Sequence, residues 1–506
     1  MAALAIRLHP ADTVVVALTA VSPGVTLDDG RVAARARVPA GHKIATTTMA
    51  KGEAVVKYNQ VIGFAATDIA AGDHVHTHNM GMGTFERDYA FGADVRPAVP
   101  APAADCATFE GYVRADGQVG TRNFIGVIPS VNCSATAARQ IADHFRGEAM
   151  AAWPNVDGVV ALTHGSGCGT GATGEMLDTL RRTIAGYGRH ANFHAVLMVG
   201  LGCEVNQIAT LFETQALQES PRLRSLVIQD VGGSARTVRQ GIEIVQEMLA
   251  VANTARRSTV PVSHLKIGLQ CGASDGYSGI TANPALGAAV DLLIAQGGTA
   301  VLSETPEIYG AEHLLTRRAA TRDVGEKLIA RIRWWEGYTS RNGSEMNNNP
   351  SPGNKAGGLT TILEKSLGAV AKAGTTNLVE VLEYGDPVGG PGLVFMDTPG
   401  YDPVSATGQV AGGCNLICFT TGRGSVFGCQ PTPSLKLATN SALFERMEED
   451  MDLDCGPIVR GEATIEQIGR QILDLAIETA SGRRTKSETL GMGGEEFQPW
   501  VIGAVM

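Results

Sequence analysis

Apolar and polar positions follow two different rhythms along this chain of 506 residues. From residue 1 to about 95, short apolar stretches such as DTVVVAL and EAVVKYNQVIGFA are separated by turn residues at intervals of about ten. Short alternating stretches with frequent turns are typical of β-strands. This part of the chain therefore predicts a small all-β domain.

After a proline- and alanine-rich linker at 96–106, the rhythm becomes strand, glycine turn and helix, repeated. Runs such as AVLMV, TAVLS and GLVFMD alternate with helix-length segments such as SARTVRQGIEIVQEMLAVAN. Continuous Val, Ile and Leu runs between helices predict parallel strands covered on both faces, and hence an α/β fold. A break at 252–264 divides this part into two α/β subdomains, 107–255 and 262–506, in which mostly parallel sheets are expected.

The composition narrows the class of protein. A net charge of −10 argues against nucleic acid as a partner. No uninterrupted apolar run is long enough to span a membrane, so no membrane partner is expected. The first residues lack the order of a signal peptide, so the cytoplasm is the expected compartment. The nine cysteines are then expected to be reduced thiols or metal ligands.

Four cysteines each stand at the downstream end of an apolar run that is typical of a buried strand: Cys133, Cys168, Cys203 and Cys271. The carboxyl ends of parallel strands lie along one edge of a sheet, where ligands bind. Four thiols at that edge could meet around a metal, although cysteine is also an ordinary buried hydrophobe. No two cysteines have the CxxC spacing of structural zinc sites.

Two histidine segments lie in the predicted β domain. The segment GHK puts His42 and Lys43 in a turn, where they could face a carboxylate or simply be solvated. In GDHVHTHN, His74, His76 and His78 alternate. In a strand these three side chains would share one face and could bind a divalent metal, whereas a solvated strand edge is the alternative.

Two further candidate side chains lie close in sequence to these cysteines: Arg122 precedes the run that ends at Cys133, and His164 lies in the segment of Cys168. Arg122, in the glycine turn of GYVRADGQVGTRN, could grip an acid group by its guanidinium fork, or could be structural. His164, four residues before Cys168 and flanked by glycine, is a candidate base or nitrogen ligand.

Strand-end loops in the last part of the chain carry cationic residues. Asn354 and Lys355 lie in NPSPGNKAGG, whose prolines exclude a helix interior or a central strand and predict a rigid loop suited to orienting an anion. Arg423 lies in TTGRGS, directly after the run NLICFT. Neither loop has a phosphate-binding signature, so nucleotide use is not expected.

In order, the segments GHK, HTHN, GYVRADGQVGTRN, GLGCE, CGASDGYSGITANP, SETPEIYGAEHLLTRRA, NPSPGNKAGG, TPGYDPVSATG and TTGRGS resemble the UxaA family of sugar-acid dehydratases, whose members include altronate and galactarate dehydratases. The resemblance covers nearly the whole chain and implies a SAF-type β domain over residues 1–95. It implies removal of water from an aldonate or aldarate to give a 2-keto-3-deoxy acid. It also implies a requirement for iron or another divalent ion such as Mn²⁺. Whether the iron is mononuclear Fe²⁺ or part of an iron–sulfur cluster is open, and three or four thiolate ligands would favour the cluster.

The HTHN run is similar to altronate-type members and is lacking in galactarate-type members, which favours altronate. The sequence departs from altronate-type members at Gln270, where these usually have a glutamate. Galactarate, another aldonate, or elimination of sulfite from sulfolactate therefore stay open as alternatives.

These observations combine into a hypothesis for the site. A small anionic sugar acid is the expected partner, and homo-oligomerisation is left open. The base is expected among His164, Lys355 and, if the small domain closes over the site, His42. The substrate is expected to be held by a polar and cationic set: Lys43, Arg122, Asn354, Arg423, His76 and His78. Iron is expected at the four strand-end cysteines. A zinc-stabilised sugar-acid binding protein and a thiol hydrolase using His164 are the alternatives from other classes.

Overall fold

A computed structural model describes residues 4–27, 32–83, 85 and 87–503 of the chain. It contains a strand-rich N-terminal region, a middle region around a four-stranded sheet and a C-terminal region around a seven-stranded sheet. The predicted α/β class with a small N-terminal β part is confirmed. None of the helices in the described part combines the length and hydropathy that a membrane span requires.

The N-terminal region consists of two small antiparallel sheets. Its strands are β1 (Ala5–Ile6), β2 (Val14–Ala17), β3 (Lys43–Ala45), β4 (Ala54–Lys57), β5 (Gln60–Ala65), β6 (His74–Val75) and β7 (Met80–Gly81). The strand orders are β1-β2-β3-β6 and β4-β5-β7. Tyr58 and Asn59 join β4 to β5 with φ values of 61° and 56°, the left-handed pair that a tight hairpin turn of type I′ requires. Part of the predicted segment RVAARARVPAGHKIAT lies outside the described residues.

The middle region is a parallel sheet flanked by helices. Its elements are β8 (Thr108–Val113), β9 (Val119–Gly120), β10 (Phe124–Pro129), α1 (Asn132–Asp143), β11 (Gly158–Ala161), α2 (Glu175–Gly188), β12 (Phe193–Gly200), α3 (Ile208–Thr214), β13 (Leu223–Val227), α4 (Ile228–Val231), α5 (Ser234–Ala252) and β14 (Ser258–Pro261). The parallel order is β11-β10-β12-β13, and a separate antiparallel sheet has the order β14-β8-β9.

The C-terminal region is built on a fully parallel sheet. Its elements are β15 (Lys266–Cys271), α6 (Ala282–Ala295), β16 (Thr299–Leu302), α7 (His313–Thr316), α8 (Arg322–Arg341), α9 (Pro352–Ala356), α10 (Ile362–Val370), β17 (Leu378–Leu382), β18 (Gly392–Met396), α11 (Asp402–Ala411), β19 (Leu416–Thr421), β20 (Ser434–Ala438), α12 (Ser441–Arg446), β21 (Leu453–Asp454), α13 (Ile465–Ala480) and α14 (Lys486–Thr489). The order is β17-β18-β16-β15-β19-β20-β21.

Two segments differ from their predicted structure. The stretch EHLLTRRAATRDVGEKLIARIRWWEGY has a sequence that predicts a single helix. It instead forms α7 and α8, because Ala319 and Ala320, which lie between these two helices, pair with the backbone of Leu378. The loop NPSPGNKAGG contains the short helix α9. Proline is tolerated there because Pro352 occupies the first helical turn, and Ser351 caps the helix in a reciprocal pair with Asn354.

Shared cores hold the three regions together. Val55 and Ile62 of the N-terminal region belong to the same buried cluster as Ile267 and Leu286 of the C-terminal region. A second cluster joins the middle sheet to the opposite face of the C-terminal sheet. The N-terminal region is thereby fixed over the C-terminal sheet, where the candidate site lies.

Candidate active site

The seven-stranded sheet has a topological switch point between β15 and β19. From β15 the chain turns through α6 to β16 on one side, and it later returns through α11 to β19 on the other side. In open α/β sheets, ligands bind outside the carboxyl ends of the strands at such a point. Two loops meet there, because the backbone N–H groups of Gly422 and Arg423 donate to the carbonyl oxygen of Ala273.

The N-terminal region covers this switch point at very close range. A Cβ atom on Gly276 or on Gly358 would collide with the carbonyl oxygen of Gly41, so both positions require glycine. This approach delivers the adjacent residues His42 and Lys43 to the carboxyl edge of the C-terminal sheet. The site is therefore built from two regions of the chain.

Three histidines form a cluster above the edge. His42 Nδ1 lies 3.0 Å from His74 Nε2, and the ring centroids of His42 and His76 are 4.9 Å apart. One ring nitrogen from each of the three lies within 4.8 Å of the other two. Within the described part of the chain, His76 Nδ1 is buried without a hydrogen-bond partner. Three converging imidazoles are a donor set that divalent metals accept.

The sequence predicted that the three alternating histidines lie on one strand. In the structure they do not. Strand β6 ends at Val75, and the backbone N–H of His76 donates to Asn79 Oδ1 in a turn. His74 and His76 still stack, with centroids 5.5 Å apart, because the turn folds one ring back on the other. His78 lies exposed beside His74 and is outside the group of three.

Burial keeps the three imidazoles neutral. Removal from water lowers the pKa of His42, and it lowers the pKa of His74 to about 4 and that of His76 to about 3. The neighbouring rings and Lys43 lower the pKa values of His74 and His76 further. A neutral imidazole has the lone pair that a metal ligand needs.

A buried triad of charges lies beneath the histidines. Lys43 Nζ is 2.7 Å from Glu364 Oε2, and Lys57 Nζ is 3.1 Å from Glu364 Oε1, with all three side chains at most 1% exposed. Lys43 also donates to the carbonyl oxygen of Gly358 at 2.7 Å. The ammonium group of Lys43 therefore joins the two regions in this structure, and substrate binding by Lys43 stays a prediction.

The burial and the mutual contacts of these three charged groups shift the pKa values of Glu364 and Lys43 away from their ordinary values. Burial alone would raise the pKa of the Glu364 carboxyl, but Lys43 and Lys57 together lower it to about 2. Burial lowers the pKa of the Lys43 ammonium to about 8, although Glu364 opposes that shift. With Glu364 ionised, two cations stand against one anion, which leaves net positive charge beside the edge.

A second buried cluster lies at the ends of β15 and β16. Cys271 Sγ accepts from Lys372 Nζ at 2.9 Å and lies 3.5 Å from Glu307 Oε2. Lys365 Nζ pairs with Glu307 Oε1 at 2.6 Å, and Lys372 Nζ pairs with Glu304 Oε2 at 3.4 Å. A cavity of about 10 Å³, enough for one water, separates this cluster from Glu364.

The site predicted for four thiols does not form. Cys271 is buried at the end of β15 in the C-terminal sheet, where burial raises its pKa to about 12. Cys133, Cys168 and Cys203 are exposed and follow β10, β11 and β12 in the middle sheet. Each cysteine follows a strand as expected, but the strands belong to two sheets with separate edges.

His164 is not placed to act as a base. Its Nδ1 accepts from the Ser166 backbone N–H at 3.2 Å, so Nε2 carries the proton and donates to the Pro129 carbonyl at 2.9 Å. The ring is buried in the middle region and both nitrogens are engaged. In this structure the His164 ring shapes its own loop, and its catalytic role stays a prediction.

Two other predicted substrate ligands are structural. The Asn354 side chain accepts from Ser351 and donates to the Ser274 carbonyl at 2.9 Å, which fixes α9 against the loop after β15. The guanidinium of Arg122 pairs through two nitrogens with Glu488, at 2.6 and 2.8 Å, and is 1% exposed. Neither side chain is free to contact a substrate.

We expect Arg122→Lys to lower the free energy of unfolding by roughly 2–3 kcal/mol and to leave KM unchanged, because lysine cannot form the two parallel bonds to Glu488. Urea denaturation measures the change. Arg139→Lys, at an exposed pair with Glu495, is the control and should cost less than about 1 kcal/mol. A raised KM with intact stability would return Arg122 to the substrate site.

Lys355 and Arg423 lie at the rim of the site. Lys355 is half-buried on α9, whose Ala356 carbonyl faces His42 Nε2 at 3.3 Å. The exposed Arg423 side chain lies beside Gly353 of the same helix. Among the described residues, neither cationic group has a hydrogen bond or ion pair. Both stay predicted as substrate-contacting groups.

Four residues of the second buried cluster were not predicted from the sequence as site residues: Glu304, Glu307, Lys365 and Lys372. Glu304 and Glu307 follow β16 directly in the segment SETPE, which is the same strand-end signal that identified the cysteines. Lys365 and Lys372 gave no comparable signal, because lysines within a helical segment usually face solvent.

Comparison with known proteins gives matches along the whole chain. Three family models match: the altronate/galactarate dehydratase SAF domain at residues 3–83, the second domain of D-galactarate dehydratase/altronate hydrolase at 111–253, and the C-terminal domain of D-galactarate/altronate dehydratase at 262–505. The altronate dehydratase of Escherichia coli K12 is 39% identical over 486 residues, 96% of either chain. That of Bacillus subtilis 168 is 35% identical over 96% of either chain. The galactarate dehydratase (L-threo-forming) of Escherichia coli K12 is 36% identical over 96% of this chain and 95% of its own.

Proposed function

Because the chain belongs to the family of D-galactarate and altronate dehydratases, we propose that it is a hydro-lyase that converts D-altronate to a 2-keto-3-deoxy acid. The resemblance found in the sequence is thereby confirmed. The observation that carries the choice of altronate is the position of the HTHN run. Its first histidine, His76, meets His42 and the preceding His74 at the switch point, where a substrate would bind.

Lys355 and Arg423 are proposed to bind the substrate carboxylate and to act on the adjacent carbon. Arg423 presents an exposed fork that suits a carboxylate. Net positive charge in the buried triad favours an anion nearby. The departure at Gln270 does not alter the surface offered to a substrate, because its amide is fully buried and donates to Ser405 Oγ and Gln409 Oε1.

The proposed base is Lys355. It removes the C2 proton, the C3 hydroxyl leaves with a proton as water, and the enol that remains tautomerises to the keto acid. Lysine takes this role in other sites that abstract a proton next to a carboxylate. His42 is less suited, because its two ring nitrogens face His74 Nε2 and the Ala356 carbonyl.

The donor set of His42, His74 and His76 fits a divalent ion, since all three rings are neutral and one buried nitrogen has no partner within the described chain. We propose iron as that ion, with Mn²⁺ able to use the same nitrogen donors. When bound, it would supply Lewis-acid assistance to the departing hydroxyl. The other compact donor group, Cys271 with Glu304 and Glu307, already has lysine partners.

A double variant tests the metal assignment. His74→Ala/His76→Ala should lose the chelatable divalent ion that anaerobic iron loading supplies, measured by metal analysis after desalting, and should lose dehydration with it. Glu304→Gln/Glu307→Gln is the matched comparison at the other donor group and should retain the ion. The reverse pattern would move the metal to the buried cluster.

A substrate panel tests the reaction itself. Iron-loaded enzyme under anaerobic conditions is offered D-altronate, galactarate, other aldonates and sulfolactate, and the 2-keto-3-deoxy acid or sulfite is measured. Turnover should be greatest with D-altronate. Faster turnover of galactarate would contradict the altronate assignment, and sulfite release would contradict the hydro-lyase assignment.

A further inference from the structure

Three of the nine cysteines are exposed, and all three lie on one edge of one sheet. Cys133, Cys168 and Cys203 follow β10, β11 and β12, which are adjacent in the order β11-β10-β12. Cysteine is among the residue types most often fully buried, and five other cysteines of this chain are buried. Exposure of three neighbouring thiols therefore needs an explanation that core packing does not provide.

The loops that carry the thiols are bonded to each other. The Asn132 N–H donates to the Ser166 carbonyl at 3.0 Å, which joins the loops of Cys133 and Cys168. The Asn206 N–H donates to the Gly167 carbonyl at 3.0 Å, which joins the loops of Cys168 and Cys203. Each of the three cysteines is therefore within three residues, along the chain, of a residue that forms a backbone hydrogen bond with the neighbouring loop.

The contacts between these loops are tight. Gly167 has φ +103°, and a Cβ there would lie 2.5 Å from the Ser130 carbonyl oxygen, so the loop can approach only as glycine. The Glu204 carboxylate accepts from Ser130 Oγ at 2.7 Å and from the Gly202 N–H at 2.5 Å. The backbone beside all three cysteines is therefore fixed before any ligand arrives.

We propose that Cys133, Cys168 and Cys203 bind an iron–sulfur cluster. A single tetrahedral ion with metal–sulfur bonds of about 2.3 Å holds its thiolates about 3.8 Å apart. The three sulfur atoms do not form a group within 4.8 Å, a search made over the described residues, which include all three. A cluster holds its thiolates farther apart than a single ion does, because each thiolate binds a different iron.

Two neighbouring features suit a cluster. Cys133 lies in the first turn of α1, where the helix dipole favours the negative charge of a ligated cluster. A cavity of about 610 Å³, lined in part by Thr163 and Arg139, opens beside Cys168. Three protein ligands leave one iron of a cubane cluster for a small ligand from that cavity. This site is separate from the histidine cluster and does not depend on the substrate proposed above.

The test measures cluster content rather than turnover. After anaerobic reconstitution with Fe²⁺ and sulfide, followed by desalting, the parent should hold about four acid-labile sulfides per chain and show a visible absorption band. Cys133→Ser/Cys168→Ser/Cys203→Ser should hold none. Because these side chains are exposed, its unfolding temperature without metal should match that of the parent.

Two controls separate this site from others. Cys106→Ser, at a partly exposed cysteine outside the group, should retain the full sulfide content. His74→Ala/His76→Ala should also retain it while losing the ion of the histidine site. The proposal is overturned if the parent takes up no sulfide, if the triple variant keeps it, or if the thiols hold a single ion without sulfide.

Discussion

Lys355→Met is expected to lower kcat for altronate dehydration by roughly a thousandfold while changing the free energy of unfolding by less than about 0.5 kcal/mol. The large kinetic effect follows if Lys355 takes the C2 proton, since a positioned base contributes a factor of about 10²–10⁴. The small effect on stability follows because the Lys355 ammonium has no ion pair or hydrogen bond with the described residues. Steady-state kinetics and urea denaturation measure the two quantities.

Two comparisons make this prediction specific. Lys51→Met replaces an exposed lysine of the N-terminal region and should leave kcat unchanged. Arg423→Met should raise KM more than it lowers kcat, because a group that only binds the carboxylate acts on the ground state and the transition state alike. If Lys355→Met keeps more than about a tenth of the parental kcat, Lys355 is not the base.

Glu364→Gln is expected to lower the free energy of unfolding by about 3–5 kcal/mol, the largest stability effect anticipated for a single change in this chain. The variant leaves Lys43 and Lys57 buried without the carboxylate that both now contact. Chemical denaturation at pH 7 measures the loss. Lys43→Met/Glu364→Leu/Lys57→Met, which removes all three charges, should be more stable than Glu364→Gln alone.

The same carboxyl group should appear in the pH dependence of stability. Its pKa falls from an ordinary value near 4.5 to about 2 in the folded protein, so its contribution is complete above pH 4.5 and is lost as the pH falls toward 2. That contribution is about 3 kcal/mol, and Glu364→Gln should lack it. Parallel acid titrations of parent and variant would contradict the assignment of this pKa.

Local sequence patterns were sufficient to predict many of the strands, and they also indicated many of the strand-end loops that carry candidate site residues. Apolar runs predicted β10, β11, β12, β15, β16, β18 and β19, and the loops after them carry the exposed thiols, Glu304 and Arg423. A run of hydrophobic residues indicates that a strand is buried, but not which sheet it joins. Cys203 and Cys271 were therefore assigned to one edge although they lie on two.

The remaining differences concern partners that are distant in sequence. Arg122 and Asn354 have side chains suited to an acid substrate, but Glu488 and the Ser274 carbonyl occupy them. Lys43 is similar, since its partner Glu364 follows 321 positions later. Side-chain chemistry suggests what a residue can bind, whereas only the packed chain decides what it does bind.

The charge triad between the two regions limits how a substrate can reach the edge. Swinging the N-terminal region away would separate Lys43 and Lys57 from Glu364 and expose a continuous hydrophobic core. Each cycle of such a motion would break two buried ion pairs, which costs several kcal/mol. We therefore expect the N-terminal region to stay in place over the carboxyl edge of the C-terminal sheet while the substrate enters and the product leaves.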